Sequence, residues 1–245
     1  MDRFFDAEGA DAFVAYSPSH VAALVAFAFS VALLYAFRSR LRGSERARYV
    51  RYALAAVLAA SELALNAWYV AERVYDPKDT LPLELCTISL YLCVFMLLFR
   101  SLALFRIVYF TGIGGALQAL LTPVLAYDFP HFRYVEFFVA HIAIIVSVLY
   151  MTWVERFRPT LKSVFTTLGY LNIALVFVFV VNSVTGGNYM FVARKPDTAS
   201  LLDYLGPYPW YLLSMEAVAL VLFLALYLPF ALVPAASVEK RNNAG

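Results

Sequence analysis

The chain has 245 residues, of which 63% are hydrophobic, 17% aromatic and only 15% charged, with a formal net charge of +2. A soluble domain carries about 25% charged residues, so this composition excludes an ordinary globular protein. The apolar runs are continuous over ~20 residues rather than alternating, which excludes a transmembrane barrel and points to an all-α polytopic membrane protein, a bundle of seven transmembrane helices.

In chain order, residues 1–18 form an acidic segment ending in Ser17-Pro18, a helix-start signal. The first span is expected over 19–37, followed by Arg38, Arg40, Arg42, Arg46 and Arg48. The second covers 49–70 and ends in Trp68-Tyr69, residues suited to an interfacial belt. The third covers 81–99, with Pro82 in its first turn, where the missing N–H has no intrahelical partner to lose. The fourth, 104–125, holds Gly112, Gly114 and Gly115, read as a surface for close helix packing. The fifth and sixth cover 134–154 and 163–184, a long loop spans 185–208, and the seventh covers 209–233. Residues 19–233 are thus one transmembrane domain and 234–245 a short basic tail. The start of the chain lacks the basic and apolar regions of a cleavable signal peptide.

Thirteen of the 19 Lys and Arg fall on the side of the first, third and fifth loops and the tail. The positive-inside rule then places the N-terminus outside and the C-terminus in the cytoplasm, in a multi-pass protein of the plasma membrane. The same asymmetry accounts for the arginines without nucleic acid. Cys86 and Cys93 lie seven apart on one helix, ~10 Å at 1.5 Å per residue, too far for a disulfide.

Polar residues inside the spans gather at one depth. At ~1.5 Å per residue, Glu62, Asn66, Glu84, Cys86, Gln118, His141, Asn182 and Glu216 all lie within ~12 Å of the outer ends of their helices. No comparably polar group is found in the cytoplasmic half. Intramembrane ionisable residues are costly and mark functional sites. Taken singly, His141 reads as an interhelical hydrogen-bonding group and Cys86 as a small hydrophobe. A thiol, an imidazole and carboxylates at one level form the kit for nucleophilic catalysis: base, nucleophile and orienting group. Thr87, ~100° further round the same helix, is a rival nucleophile. Arg194 and Lys195 in the outer loop are candidates to face a phosphate. No ligand spacing for a metal is present, and neither metal nor cofactor is expected.

Several blocks in one order resemble the YwaF-like family of integral membrane proteins: Leu81-Pro82-Leu83-x-Leu85-Cys86, Gln118 to Pro123 after Gly114, His141, Asn188-Tyr189-Met190, Lys195-Pro196 and Gly206-Pro207-x-Pro209-Trp210-Tyr211. That family is similar to the vertebrate transmembrane protein 164, a cysteine-dependent acyltransferase acting on phospholipids and lysophospholipids. The resemblance implies Cys86 as acyl-accepting nucleophile and His141 as its base. Glu216 or Glu62 would orient the histidine, and Asn182 or Asn188 would supply oxyanion or headgroup bonds. Tyr189, Arg194, Lys195 and Trp210 are candidates to bind substrate. A looser kinship to androgen-induced-gene-type hydrolases with a Thr–His pair keeps Thr87 in view. Glu84 stands where the family often has histidine or another polar residue. The expected partners are membrane lipids; the rival expectation is a transporter or small-molecule receptor using the same layer as a binding site.

Overall fold

A computed structural model describes residues 4–8, 11–195 and 201–233. The tail over 234–245, with Lys240 and Arg241, and Pro196 of the outer loop lie outside the described residues. Seven helices follow one another: α1 Pro18–Leu41, α2 Glu45–Ala71, α3 Leu85–Phe99, α4 Leu102–Leu121, α5 Phe132–Trp153, α6 Leu161–Thr185 and α7 Trp210–Leu232. Two 3₁₀ turns, Tyr189–Phe191 and Leu201–Leu205, sit in the loop before α7. Six helices are long and apolar enough to cross a membrane, and the described residues hold no strand beyond one isolated bridge, Ala12 to Tyr127.

The exception is α3, whose 15 residues fall short of a full span. It begins at Leu85, not at 81, so Pro82 lies outside the helix rather than in its first turn. The reason is local. A residue before proline is driven out of the helical region, and Leu83 N–H closes a tight turn on the Leu81 carbonyl at 2.8 Å. Glu84 is the extended cap residue, φ −69° and ψ 147°.

Helix starts follow capping rules. Ser17 accepts from His20 N–H with Pro18 just inside, Ser44 accepts from Ala47 N–H and Ser101 from Leu104 N–H, and Thr160 with Ser163 forms a reciprocal box. Gly186 ends α6 at φ +74°, a left-handed conformation that glycine adopts without a Cβ penalty.

Helices α2 to α5 pack on one another as the core, α1 lies on α5, and α6 and α7 pack together against α4. Phe110 meets Phe223 at 5.2 Å between ring centroids, and Tyr109 donates to the Leu226 carbonyl at 3.0 Å, fixing α4 on α7. A Cβ on Gly114 would stand 3.0 Å from Leu222 Cδ2, so close packing is its role.

The two ends of the bundle differ. At the basic end, several arginines close helix C-termini instead of lying free. Buried Arg51 donates to the Leu97 and Leu98 carbonyls of α3, Arg42 to Trp153, and Arg158 to Phe230 and Val233, while Arg100 pairs with Glu155 at 2.5 Å. At the opposite end, the N-terminal segment straps across the helix tips. Trp68 donates to the Phe5 carbonyl at 2.7 Å, and Tyr127 stacks on His131 at 4.2 Å.

Candidate functional site

A cavity of about 830 Å³ opens at this second end, walled by residues from every helix except α1 and by the segments 79–84 and 190–192. It gathers most of the polar layer: Glu62, Asn66, Glu84, Cys86, Thr87, Gln118, His141 and Glu216 all line it. The rest of the wall is largely apolar, with Leu90, Ile144, Leu171, Leu175 and Leu212 among its surfaces.

Cys86 is the second residue of α3. Its own N–H and those of Leu85 and Thr87 have no acceptor among the described residues, and the Glu84 side chain caps none of them. The positive end of the helix macrodipole and three free donors therefore share the first turn with the thiol. Space for the sulfur comes from α4: a Cβ on Gly115 would lie 3.4 Å from Cys86 Sγ and 3.5 Å from Leu85 Cδ2. A methyl group there would sit in ordinary contact, so the sulfur packs on the glycine face of α4.

His141 Nδ1 lies 2.6 Å from the Phe137 carbonyl. A carbonyl only accepts, so Nδ1 carries the proton and Nε2 keeps its lone pair. Among the described residues the imidazole's partner is this carbonyl one turn back, and neither Glu62 nor Glu216, the groups the sequence suggested, bonds to it. Glu62 instead accepts from Asn66 Nδ2 and Tyr91 Oη, both at 2.8 Å, and Glu216 accepts from Asn172 Nδ2 at 2.5 Å. Among the described residues Cys86 makes no hydrogen bond, so thiol and imidazole share the cavity without a hydrogen bond between them. Cys93 is fully buried in the core and belongs to packing.

Asn182 near the end of α6 and the candidates in the loop before α7 fall away from the cavity and organise its rim. Asn182, buried at 3% exposure, accepts from Tyr189 N–H at 2.9 Å and donates to the Tyr189 carbonyl at 3.1 Å. Tyr189 donates from its phenol to the Pro77 carbonyl at 2.7 Å and accepts from Leu81 N–H at 2.8 Å. Burial raises its phenol above the ordinary value, which keeps it a neutral donor. Asn188 caps the backbone of Ala193 and Arg194. Lys195 lies over the Tyr211 ring at 5.7 Å, Arg194 offers no side chain to the cavity, and Trp210 stands 64% exposed at the start of α7. The placement of Asn182, Asn188 and Tyr189 is explained by this loop scaffold, which presses Met190, Phe191 and Val192 into the cavity wall and sets Met190 N–H 3.3 Å from Glu84 Oε2.

Arg133, Glu136, Asn172 and Asp79 are among the polar cavity residues that escaped the sequence reading. Glu136 and Arg133, on the first turns of α5, form a 2.5 Å ion pair with side-chain exposures of only 7% and 17%. Near a helix end they read as interfacial charges. Asn172, the partner of Glu216, lies near the middle of α6, where no strongly polar group was expected. The described residues hold no cluster of His, Cys, Asp or Glu able to hold a metal.

Residues 15–227 match the TMEM164 family. No curated protein and no solved structure matches the chain. The match spans most of the sequence and every helix but the last turns of α7, and on that ground the chain belongs to the TMEM164 family.

Proposed function

We propose that this protein is a membrane-embedded acyltransferase that moves a fatty acyl chain between phospholipid and lysophospholipid, with Cys86 as nucleophile and His141 as general base and acid. The observation that carries the reading is the tautomer of His141: its proton is fixed on Nδ1 by the Phe137 carbonyl, leaving Nε2 free in the cavity that also holds the Cys86 thiol. A thiol needs such a base in order to attack, and apolar surroundings make that need greater.

In the proposed reaction, Sγ attacks the ester carbonyl carbon while its proton passes to His141 Nε2. The tetrahedral oxyanion draws on the free N–H groups at the start of α3. Collapse breaks the ester C–O bond, and the leaving alkoxide of the lysolipid takes the proton from Nε2. A second lysolipid hydroxyl then attacks the thioester, loses its proton to Nε2 and restores the thiol. Water in that second step would make the enzyme a hydrolase. An 830 Å³ cavity with a mostly apolar wall suits an acyl chain, falling in the usual range of small-molecule sites. In this reading all seven helices traverse the plasma membrane, with α3 short, the N-terminus outside and the site near the outer leaflet, consistent with the charge asymmetry.

Intact-protein mass spectrometry after incubation with phospholipid vesicles tests the proposal, comparing wild type, Cys86→Ala and His141→Ala. An acyl mass on wild type, absent from Cys86→Ala and discharged by lysolipid, is the expected result. Full transfer activity in Cys86→Ala with loss in Thr87→Ala would move the nucleophile to Thr87. Unchanged lipid composition after long incubation with wild type would favour a binding or transport role for the same cavity.

A further inference from the structure

Among the described residues that line the cavity there is a single Lys or Arg, and it is Arg133. The two loop cations expected to face phosphate, Arg194 and Lys195, do not line it. Arg133 is held from three sides. Its Nη1 donates to Glu136 Oε2 at 2.5 Å, and its guanidinium carbon lies 5.5 Å from the Tyr69 ring centre and 5.9 Å from that of Trp68. The carboxylate and the two aromatic rings fix the plane of the fork. Nε and Nη2 make no hydrogen bond among the described residues, yet the side chain keeps 17% of its exposure. A guanidinium oriented in this way, with spare donors turned to a cavity, matches the oxygens of a phosphate group.

The spacing along α5 fits a lipid. Arg133 and His141 are eight residues apart, roughly 12 Å along the helix axis. In a glycerophospholipid five bonds separate phosphorus from the nearer ester carbonyl, a reach of about 6 Å at ordinary bond lengths. With contacts of about 3 Å from guanidinium to phosphate oxygen, from carbonyl carbon to sulfur and from sulfur to histidine, the path is roughly 16 Å. The long Arg133 side chain, tilted toward the N-terminal end of α5, covers the difference.

We infer that Arg133 forms a phosphate subsite at the mouth of the cavity, binding the phosphodiester of a membrane lipid and setting the depth at which its ester carbonyl lies beside Cys86, with Glu136 positioning the guanidinium. The inference rests on the acyl-transfer reading for the purpose of the subsite, but its test requires no turnover. Glu62 and Glu136 make the neighbouring wall anionic, and the free edge of Arg133 supplies the only Lys or Arg donors among the described residues that line the cavity.

The test is lipid retention by the full-length Cys86→Ala protein in native mass spectrometry, offering dioleoylphosphatidylmethanol and dioleoylglycerol in equal amounts. The pair differs in the phosphodiester and carries no amine. We expect about tenfold or greater preference for the phosphodiester, the scale of one charge-assisted contact. Arg133→Gln/Glu136→Gln, which removes the pair together, brings the ratio to near unity with dioleoylglycerol retention intact. Glu136→Gln alone raises the preference, because a competing carboxylate is gone. A ratio unaffected by the double substitution, or no preference in the parent, overturns the subsite. Loss of the preference in excess inorganic phosphate would assign the site to free phosphate and overturn its lipid assignment. A persistent preference, with wild-type protein that forms no thioester and leaves lipid composition unchanged, would instead remove the acyl-transfer reading and leave the subsite standing.

Discussion

Asn182 separates a scaffolding role from a chemical one, and its replacement by alanine is the sharpest perturbation. The side chain satisfies both the N–H and the carbonyl of Tyr189 in a setting where Asn182 is 3% and Tyr189 1% exposed. Alanine leaves the buried Tyr189 N–H without a partner, at about 1–3 kcal/mol of local stability, while the carbonyl keeps the Val192 N–H at 3.4 Å. The loss falls on the loop that carries Met190, Phe191 and Val192 into the cavity wall. Hydrogen exchange at the Tyr189 amide in detergent reads it directly. At 1.4 kcal/mol per factor of ten, the amide exchanges about 5- to 100-fold faster in Asn182→Ala. Asn182→Asp, which still accepts from the N–H but cannot donate to the carbonyl while ionised, loses less protection. Unchanged exchange at Tyr189 together with lost acyl transfer would refute this reasoning and return Asn182 to the chemistry.

Other expectations concern the remaining walls of the site. Gly115→Ala sets a methyl at ordinary contact distance from Cys86 Sγ, whereas Gly115→Val adds branches that crowd it, so maleimide labelling of Cys86 slows several-fold in the valine variant alone. Equal labelling in both would show that the sulfur does not depend on the glycine gap. Glu136→Leu leaves Arg133 largely buried without its partner and costs about 3–5 kcal/mol, while Arg133→Leu/Glu136→Leu costs much less; denaturation in detergent across the four-protein cycle checks the sign of the coupling. For topology, with Cys86 and Cys93 replaced by alanine, Asp79→Cys is labelled by an impermeant maleimide from outside and Arg46→Cys only after permeabilisation. The reverse pattern would invert the orientation read from charge.

The long helices were legible because each is a continuous apolar run bounded by capping residues, as with Ser17-Pro18 before α1. The common depth of Glu62, Cys86, His141 and Glu216 was also legible, since rise per residue is fixed. Azimuth was not. Asn182 shares that depth but turns toward the Tyr189 backbone, and nothing in a single sequence gives the direction of one side chain relative to another helix. Counting from helix ends also assumes that the ends are level. Asn172 lies ~20 Å from the outer end of α6 and Glu216 ~9 Å from that of α7, yet the two side chains meet, so these ends are offset. The start of α3 was misplaced for a different reason: Pro82 suits a first helical turn and also the extended approach to one, and the turn closed by Leu83 decided between them.

The shortness of α3 has a consequence for the lipid around it. Fifteen residues rise about 22 Å, some 8 Å less than the hydrocarbon thickness of a typical bilayer. Arg51, bonded to the last carbonyls of the helix, pins one end to the basic interface, so the whole deficit falls at the Cys86 end. On the flank where α3 faces outward, its exposed aromatic stripe runs only from Tyr91 to Phe99. A bilayer meeting so short a hydrophobic wall thins beside it, at a cost of fractions of a kcal/mol per Å. On the seven-span reading proposed above, the protein carries a dent in the membrane along one side, where headgroups sink toward the thiol and a lipid need not be drawn out of its leaflet to reach it.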